Sequence, residues 1–332
     1  MEPYYYQTLS KAEQSSYQAM QAGLQAFAPS FPVPLLENRA LTDVFMKLRL
    51  DCPQLFYAGT FQYRYYPDSR NAELIPAYLF EKGKLKEHQK ALQSRVEKLV
   101  RPVARCSDEE KLLYIHDFIC KNVRYDKLKK QYSHEIIGVL GHGVGVCEGI
   151  AKAVKILCDA LQIQCIIALA ENNPEKGVKY RHAWNVVRLD KKYYHLDCTF
   201  DLSLGNPEEI RYDYFLLSDK QIFRDHERLV WRVPACEDAD RFYYKKKKLS
   251  FTKTEEAKAR GAGGEKGKTT AVSLARRLYD KGNRAGISAD FQGRSSEKRK
   301  IRTGFAELGA GDCEGTLYRT ITDTGIDHGR SQ

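Results

Sequence analysis

The sequence predicts an α+β fold in which a helix packs on an antiparallel sheet. A mainly helical extension (1–100) precedes a core (101–235), and a basic, glycine-rich tail (236–332) ends the chain. Three observations carry this. Apolar residues recur at helical spacing through most of the first 161 residues, and two alternating runs, His182 to Leu189 and Tyr193 to Phe200, then follow around a two-residue turn. Composition changes sharply near residue 236: the last 97 residues hold 13 of the 23 glycines. They also carry 21 Lys and Arg against 14 Asp and Glu, a net +7 of the chain's +11.

At 332 residues, 42% hydrophobic and 29% charged, the chain can build one large core or two modest ones. Its longest apolar run, Cys165 to Ala170, falls far below the roughly 18 consecutive apolar residues of a membrane span. The start, Met1-Glu2-Pro3-Tyr4-Tyr5-Tyr6, lacks the basic-then-apolar pattern of a signal peptide, so a soluble cytoplasmic protein is expected. Nine cysteines without a CxxC pair read as reduced thiols.

Ser10 and Glu13 have capping-box spacing, and Tyr17, Met20, Leu24 and Phe27 continue on one helical face. Leu41, Val44, Phe45 and Leu48 repeat the pattern in a second helix. Residues 61 to 66 alternate as a strand does, and a third helix from about Lys84 to Val100 stops at Pro102. Ser107 and Glu110 cap a fourth helix, whose stripe is Leu112, Ile115 and Ile119. Gly141-His142-Gly143-Val144-Gly145-Val146 then delivers Cys147 to the start of a helix. Ile150, Val154, Leu157 and Leu161 form its buried face, so the Cys147 thiol is expected to point inward. A strand from Ile163 to Ala170 and a polar loop at Asn173-Pro174 lead into the two alternating runs.

If Asp190-Lys191 is a two-residue turn, Leu189 pairs with Lys192, His182 falls opposite Thr199 and Trp184 opposite Asp197. One face then carries His182, Trp184, Val186 and Arg188 with Tyr193, His195, Asp197 and Thr199. His182 and Asp197 become diagonal neighbours, close enough for an imidazole-to-carboxylate hydrogen bond. A thiol at a helix N-terminus is favoured as thiolate, although Glu148 beside it pulls the other way. Acyl transfer also needs an imidazole to move the proton and a group to orient it, which His182 and Asp197 can supply.

Gly145-Val146-Cys147-Glu148-Gly149, His182-Ala183-Trp184-Asn185 and Tyr194-His195-Leu196-Asp197-Cys198-Thr199-Phe200-Asp201 together resemble the three motif blocks of the transglutaminase-like superfamily, specifically its bacterial members. Asp117 to Asp126 resembles the helix and strand ahead of that family's nucleophile, and the similarity covers roughly residues 100 to 235. The resemblance implies a papain-like core with Cys147 as nucleophile, His182 as general base and acid, and Asp197 as its orienter. The implied reaction is attack on a peptide or protein amide, with a thioester resolved by an amine or by water. Phe200 stands where the family often has Trp, and no tryptophan precedes Cys147 to stabilise an oxyanion as in the animal enzymes. The Cys147 backbone N–H is one oxyanion donor, and the second is unassigned.

Trp184, His195 and His134 are candidates to line a substrate cleft, and His195 is the main competitor for the role of His182. His116, beside an apolar stripe, reads as structural. No cofactor or metal is expected, since the histidines lack HExxH spacing and no carboxylate cluster suggests a calcium loop. Ala262 to Thr269 satisfies a permissive phosphate-loop pattern without the buried strand that must precede one. The tail reads as largely disordered, with one short helix around Val272 to Tyr279. Phe242-Tyr243-Tyr244 with Lys245 to Lys248, and Lys298-Arg299-Lys300, are its only features suited to nucleic acid or anionic lipid, and such charge runs are usually just solvated. A non-catalytic module on the same fold, binding acidic partners through its tail, is the competing functional reading.

Overall fold

The computed structural model describes residues 2–251, apart from 66–68, 179–180 and 206–207, together with 273–274. Helix starts follow their caps. Glu13 accepts from the Ser10 backbone N–H at 2.8 Å and opens α2 (Lys11–Gln25), behind the single turn α1 (Tyr4–Gln7). The same reciprocal pair, Ser107 and Glu110, opens α5 (Asp108–Asn122). Between them lie α3 (Asn38–Asp51), α4 (Lys82–Val100) and an antiparallel sheet. That sheet runs β1 (Phe31–Pro34), β3 (Asn71–Tyr78), β2 (Ala58–Tyr65) in space.

A short parallel pair, β4 (Arg124–Tyr125) with β5 (Val144–Gly145), then leads into α6 (Cys147–Ala160). The second sheet is antiparallel, in chain order β6 (Cys165–Leu169), β7 (Ala183–Leu189), β8 (Lys192–Leu196), β9 (Phe215–Leu217). Helix α6 packs across β6 and β7. The β7–β8 ladder has the register read from the sequence, Leu189 opposite Lys192 through Asn185 opposite Leu196. Asp190 (φ 45°) and Lys191 (φ 68°) both take the left-handed conformation that a type I′ turn requires.

The expected strand to Phe200 is corrected, because pairing stops at Leu196 and α7 (Cys198–Leu204) begins. Asp197 causes the switch: its Oδ1 accepts from the backbone N–H of Thr199 (2.8 Å) and Phe200 (3.1 Å), an N-cap that ends the strand.

Both faces of the second sheet are buried. Val187, Leu189, Tyr194 and Leu196 join Ile150, Val154 and Leu157 of α6 in a core that also takes in α2, α3 and the first sheet. Trp184, Val186 and Ile166 join a second cluster with Tyr5, Met46, Leu50, Val233 and Cys236. The extension before residue 100 therefore shares its core with α6 and the second sheet, and Tyr5 donates its hydroxyl to the Ile167 carbonyl of β6 at 2.6 Å.

The tail boundary at 235 is also corrected. After α8 (Asp219–Ile222), Cys236 and Tyr244 are fully buried, and Tyr244 lies in the turn α9 (Tyr243–Lys246). Tyr243 stacks on Tyr212 at 3.9 Å, and Arg241 bonds Glu109 at 2.7 Å. Three clustered aromatics anchor a stretch that shows no apolar period, so Phe242-Tyr243-Tyr244 belong to the packing and form no exposed binding patch. Ser250–Phe251 (β10) pairs in parallel with Ser273–Leu274 (β11), so the described residues of the expected helix at 272–279 are strand. The phosphate-loop pattern and Lys298-Arg299-Lys300 lie outside the described residues. Among the described residues, no helix is long and apolar enough to cross a membrane.

Candidate active site

Cys147 is the first residue of α6, and two close approaches fix where that helix begins. The Val146 N–H donates to the Ser133 carbonyl at 3.0 Å, and a Cβ placed on Gly149 would lie 2.2 Å from that same oxygen. Glycine is needed at 149 for space alone. Asp126 holds the facing loop by accepting from Ser133 Oγ at 2.5 Å and from the backbone N–H of Leu128 and Lys130. From the sheet side, Asn185 Nδ2 donates to the Ala151 carbonyl at 2.9 Å, tying β7 to the first turns of α6.

His182 sits one residue ahead of β7 and Asp197 one residue beyond β8. Their side chains meet, with His182 Nε2 2.7 Å from Asp197 Oδ2. The Cys147 side chain hydrogen-bonds His182, for which Nδ1 is the nitrogen left. Ring contacts fix the imidazole between Trp184 (5.8 Å, 18°) and Phe200 (4.7 Å, 32°). Burial works against charge on His182, but the Asp197 charge and hydrogen bond outweigh it and push its pKa up to about 10. Burial likewise opposes ionisation of Asp197, yet the two imidazoles bonded to it hold its carboxyl well below the usual carboxylate range. This ring is therefore set up to hold a proton beside a sulfur, the electrostatic condition for a thiolate–imidazolium pair.

Glu148 does not oppose that pair as its position in the sequence suggests. Lys152, one turn along α6 and fully buried, lies 2.6 Å from Glu148 Oε1 and 2.8 Å from Glu135 Oε1. Arg49 of α3 pairs with Glu135 and lies 3.8 Å from Glu148. Burial would raise the Glu148 pKa, but Lys152 in the first place, with His134 and Arg49, holds it well below normal. Two cations balance two carboxylates, so no net negative charge faces the thiol from this side.

The three cleft candidates take other roles. Trp184 (1% exposed) and His195 (0%) form a buried floor beneath His182 and line no open groove. His195 does not compete for Asp197, because its Nδ1 accepts from Trp184 Nε1 (2.9 Å) and its Nε2 faces Asp219 Oδ1 (2.7 Å). The segment 219–236, with Tyr5, Met46 and Leu50 from the N-terminal region, covers a sheet face that alternation alone would leave to solvent. His134, also buried, lies 3.5 Å from Glu148 and supports the charge network. His116 bonds Asp201 at 2.9 Å away from this site.

Among the described residues, two groups have donor atoms close enough to share a metal ion, His182 with Asp197 and His226, and His195 with Asp219 and Cys236. In the second, the Trp184 N–H makes Nδ1 the acceptor, so the nitrogen facing Asp219 carries the hydrogen. Binding a cation there would require an imidazolate, which argues against the fit. In the first, both Nε2 atoms donate to one carboxylate oxygen, an arrangement suited to protons.

His226 was missed by sequence reasoning. Its Nε2 lies 2.9 Å from the same Asp197 Oδ2 that His182 uses, and no spacing in the chain signals it.

Residues 97–198, which contain Cys147, His182 and Asp197, match the family model of the transglutaminase-like superfamily. No curated protein matches the chain. Among solved structures it is similar to one described as a TGase, at 13% identity and a TM-score of 0.29, over 42% of this chain and 43% of that one. It is also similar to one described as a "putative cysteine protease" from Cytophaga hutchinsonii, at 15% identity and a TM-score of 0.28, over 45% of this chain and 64% of that one. The chain thus covers less than two thirds of the length of either.

Proposed function

We propose that the transglutaminase-like domain at residues 97–198 makes this protein a thiol enzyme acting on an amide carbonyl of a peptide or protein through a Cys147 thioester. The observation that carries the reading is His182, bonded on one side to Asp197 at 2.7 Å and on the other to the Cys147 side chain. In this reading the thiolate attacks the carbonyl carbon and the C–S bond forms. His182 then passes its proton to the amide nitrogen as the C–N bond breaks, and ammonia or an amine leaves. Water or a second amine next gives a proton to His182, attacks the thioester and frees the sulfur. Asp197 keeps the ring oriented and offsets its charge throughout. The Cys147 N–H, at the positive end of α6, is the supported oxyanion donor.

The test is mass spectrometry of a peptide library incubated with the protein and a labelled primary amine. A labelled, deamidated or cleaved peptide is expected from the wild type and from none of the Cys147→Ala reactions. No thioester and no product with either protein would leave the fold as a binding module.

A further inference from the structure

The charge of Asp197 is shared. Its Oδ1 is taken by two backbone N–H groups, and its Oδ2 lies between His182 Nε2 at 2.7 Å and His226 Nε2 at 2.9 Å. The second imidazole has no free nitrogen either. His226 Nδ1 is 2.9 Å from Asp225 Oδ1, and Asp225 Oδ2 accepts from the Tyr214 hydroxyl at 2.7 Å. Both nitrogens of this ring thus face carboxylate oxygens, and an ionised carboxylate only accepts. Its side chain is 1% exposed, walled by Trp184 (4.9 Å), Phe200 (4.5 Å) and Tyr214 (5.5 Å), and its ring lies 5.4 Å from that of His182. The titratable groups facing it are His195 of β8, Asp197 just beyond that strand, His182 ahead of β7, Tyr214 ahead of β9, and Asp225 beside it.

We propose that His226 is a positioning residue of the thiol site, whose imidazolium clamps Asp197 and restrains the basicity of His182. The inference rests on the thiol-enzyme reading and explains a difficulty within it. A ring that holds its proton too tightly is a poor acid for the departing amine, since transfer works best with a pKa near the working pH. A second cation on the same carboxylate oxygen weakens the grip of Asp197 on His182 and repels its charge, while keeping Asp197 ionised. His226 lies outside residues 97–198, the segment that matches the family model.

The experiment follows the His182 ring by NMR titration in the full chain, with Cys147 alkylation measured in parallel across pH. His226→Gln keeps a donor near Asp197 and removes the charge. Asp225→Asn, at a partly exposed residue, removes the anion that holds the second proton and serves if the first variant does not fold. Either folded variant should titrate His182 about one pH unit higher, a tenfold tighter proton. The upper step of the alkylation profile should move with it. A His182 titration superposable on the wild type in a folded variant overturns the proposal. If His182 shifts but Cys147 alkylates no faster than the other thiols in the wild type, the thiol-enzyme reading fails and the role of His226 stands.

Discussion

Glu148 and Lys152, one turn apart on the helix that begins with Cys147, form a fully buried ion pair at 2.6 Å. The pair places a compensated carboxylate next to the candidate nucleophile, and Glu135 and Arg49 close it into a network joining α3, the loop after β4 and α6.

Breaking this network from the cationic side should be severe. Lys152→Met leaves Glu148 and Glu135 facing one arginine in a dry interior, at a cost of about 3–5 kcal/mol. Urea denaturation should show the loss, and adding Glu148→Gln should recover part of it. A midpoint within error of the wild type would mean that the network is not holding α6.

Asp197 has two jobs that one substitution separates. Asn caps a helix about as well as Asp, so Asp197→Asn should keep α7 while removing the charge that faces His182. Without the charge, burial is opposed by Cys147 and no longer by Asp197, and the His182 pKa falls, so alkylation of Cys147 at pH 6 should drop at least about tenfold. Unchanged alkylation in a folded Asp197→Asn protein would show that His182 does not sustain the thiolate.

The same pair predicts a pH dependence of stability. The folded pKa of His182, about 10, lies above its ordinary value of 6.5, so the stabilisation is complete below 6.5 and is lost as pH rises through 10. The Asp197 pKa is depressed, so the contribution also disappears as pH falls below the ordinary 3.8. Thermal midpoints of wild type and Asp197→Asn should differ most between about pH 4 and 6.5 and converge by about pH 10. A gap that persists undiminished at pH 10 would contradict the linkage.

Gly149 tests the seat of the nucleophile helix. An alanine methyl carbon 2.2 Å from the Ser133 carbonyl must push that oxygen away and with it the bond from the Val146 N–H. Gly149→Ala should lose about 1–3 kcal/mol and slow Cys147 alkylation, read by urea midpoint and rate together. A stable variant with the wild-type rate would place the start of α6 under other control.

Legibility tracked the range of the interaction. The capping boxes at Ser10 and Ser107, the stripe on α6 and the β7–β8 register could be read because each is set within a few residues by side-chain geometry. The register brought His182 and Asp197 together even though both lie just beyond the ladder. The helix at Cys198 was misread as strand because alternation in Tyr193 to Phe200 masks the capping geometry of Asp197. The packing of 236–249 was lost because three aromatics in a charged stretch show no period.

Local backbone preference and side-chain alternation are enough to set the helix that presents Cys147, the hairpin between His182 and Asp197, and the meeting of imidazole with carboxylate. Long-range packing is what lets Arg49 and Glu135 offset the charge beside the thiol, seals the face carrying Trp184 and His195, and brings His226 to share Asp197. Those contacts join residues tens of positions apart, and the burial that makes their charges matter exists only once the chain has folded.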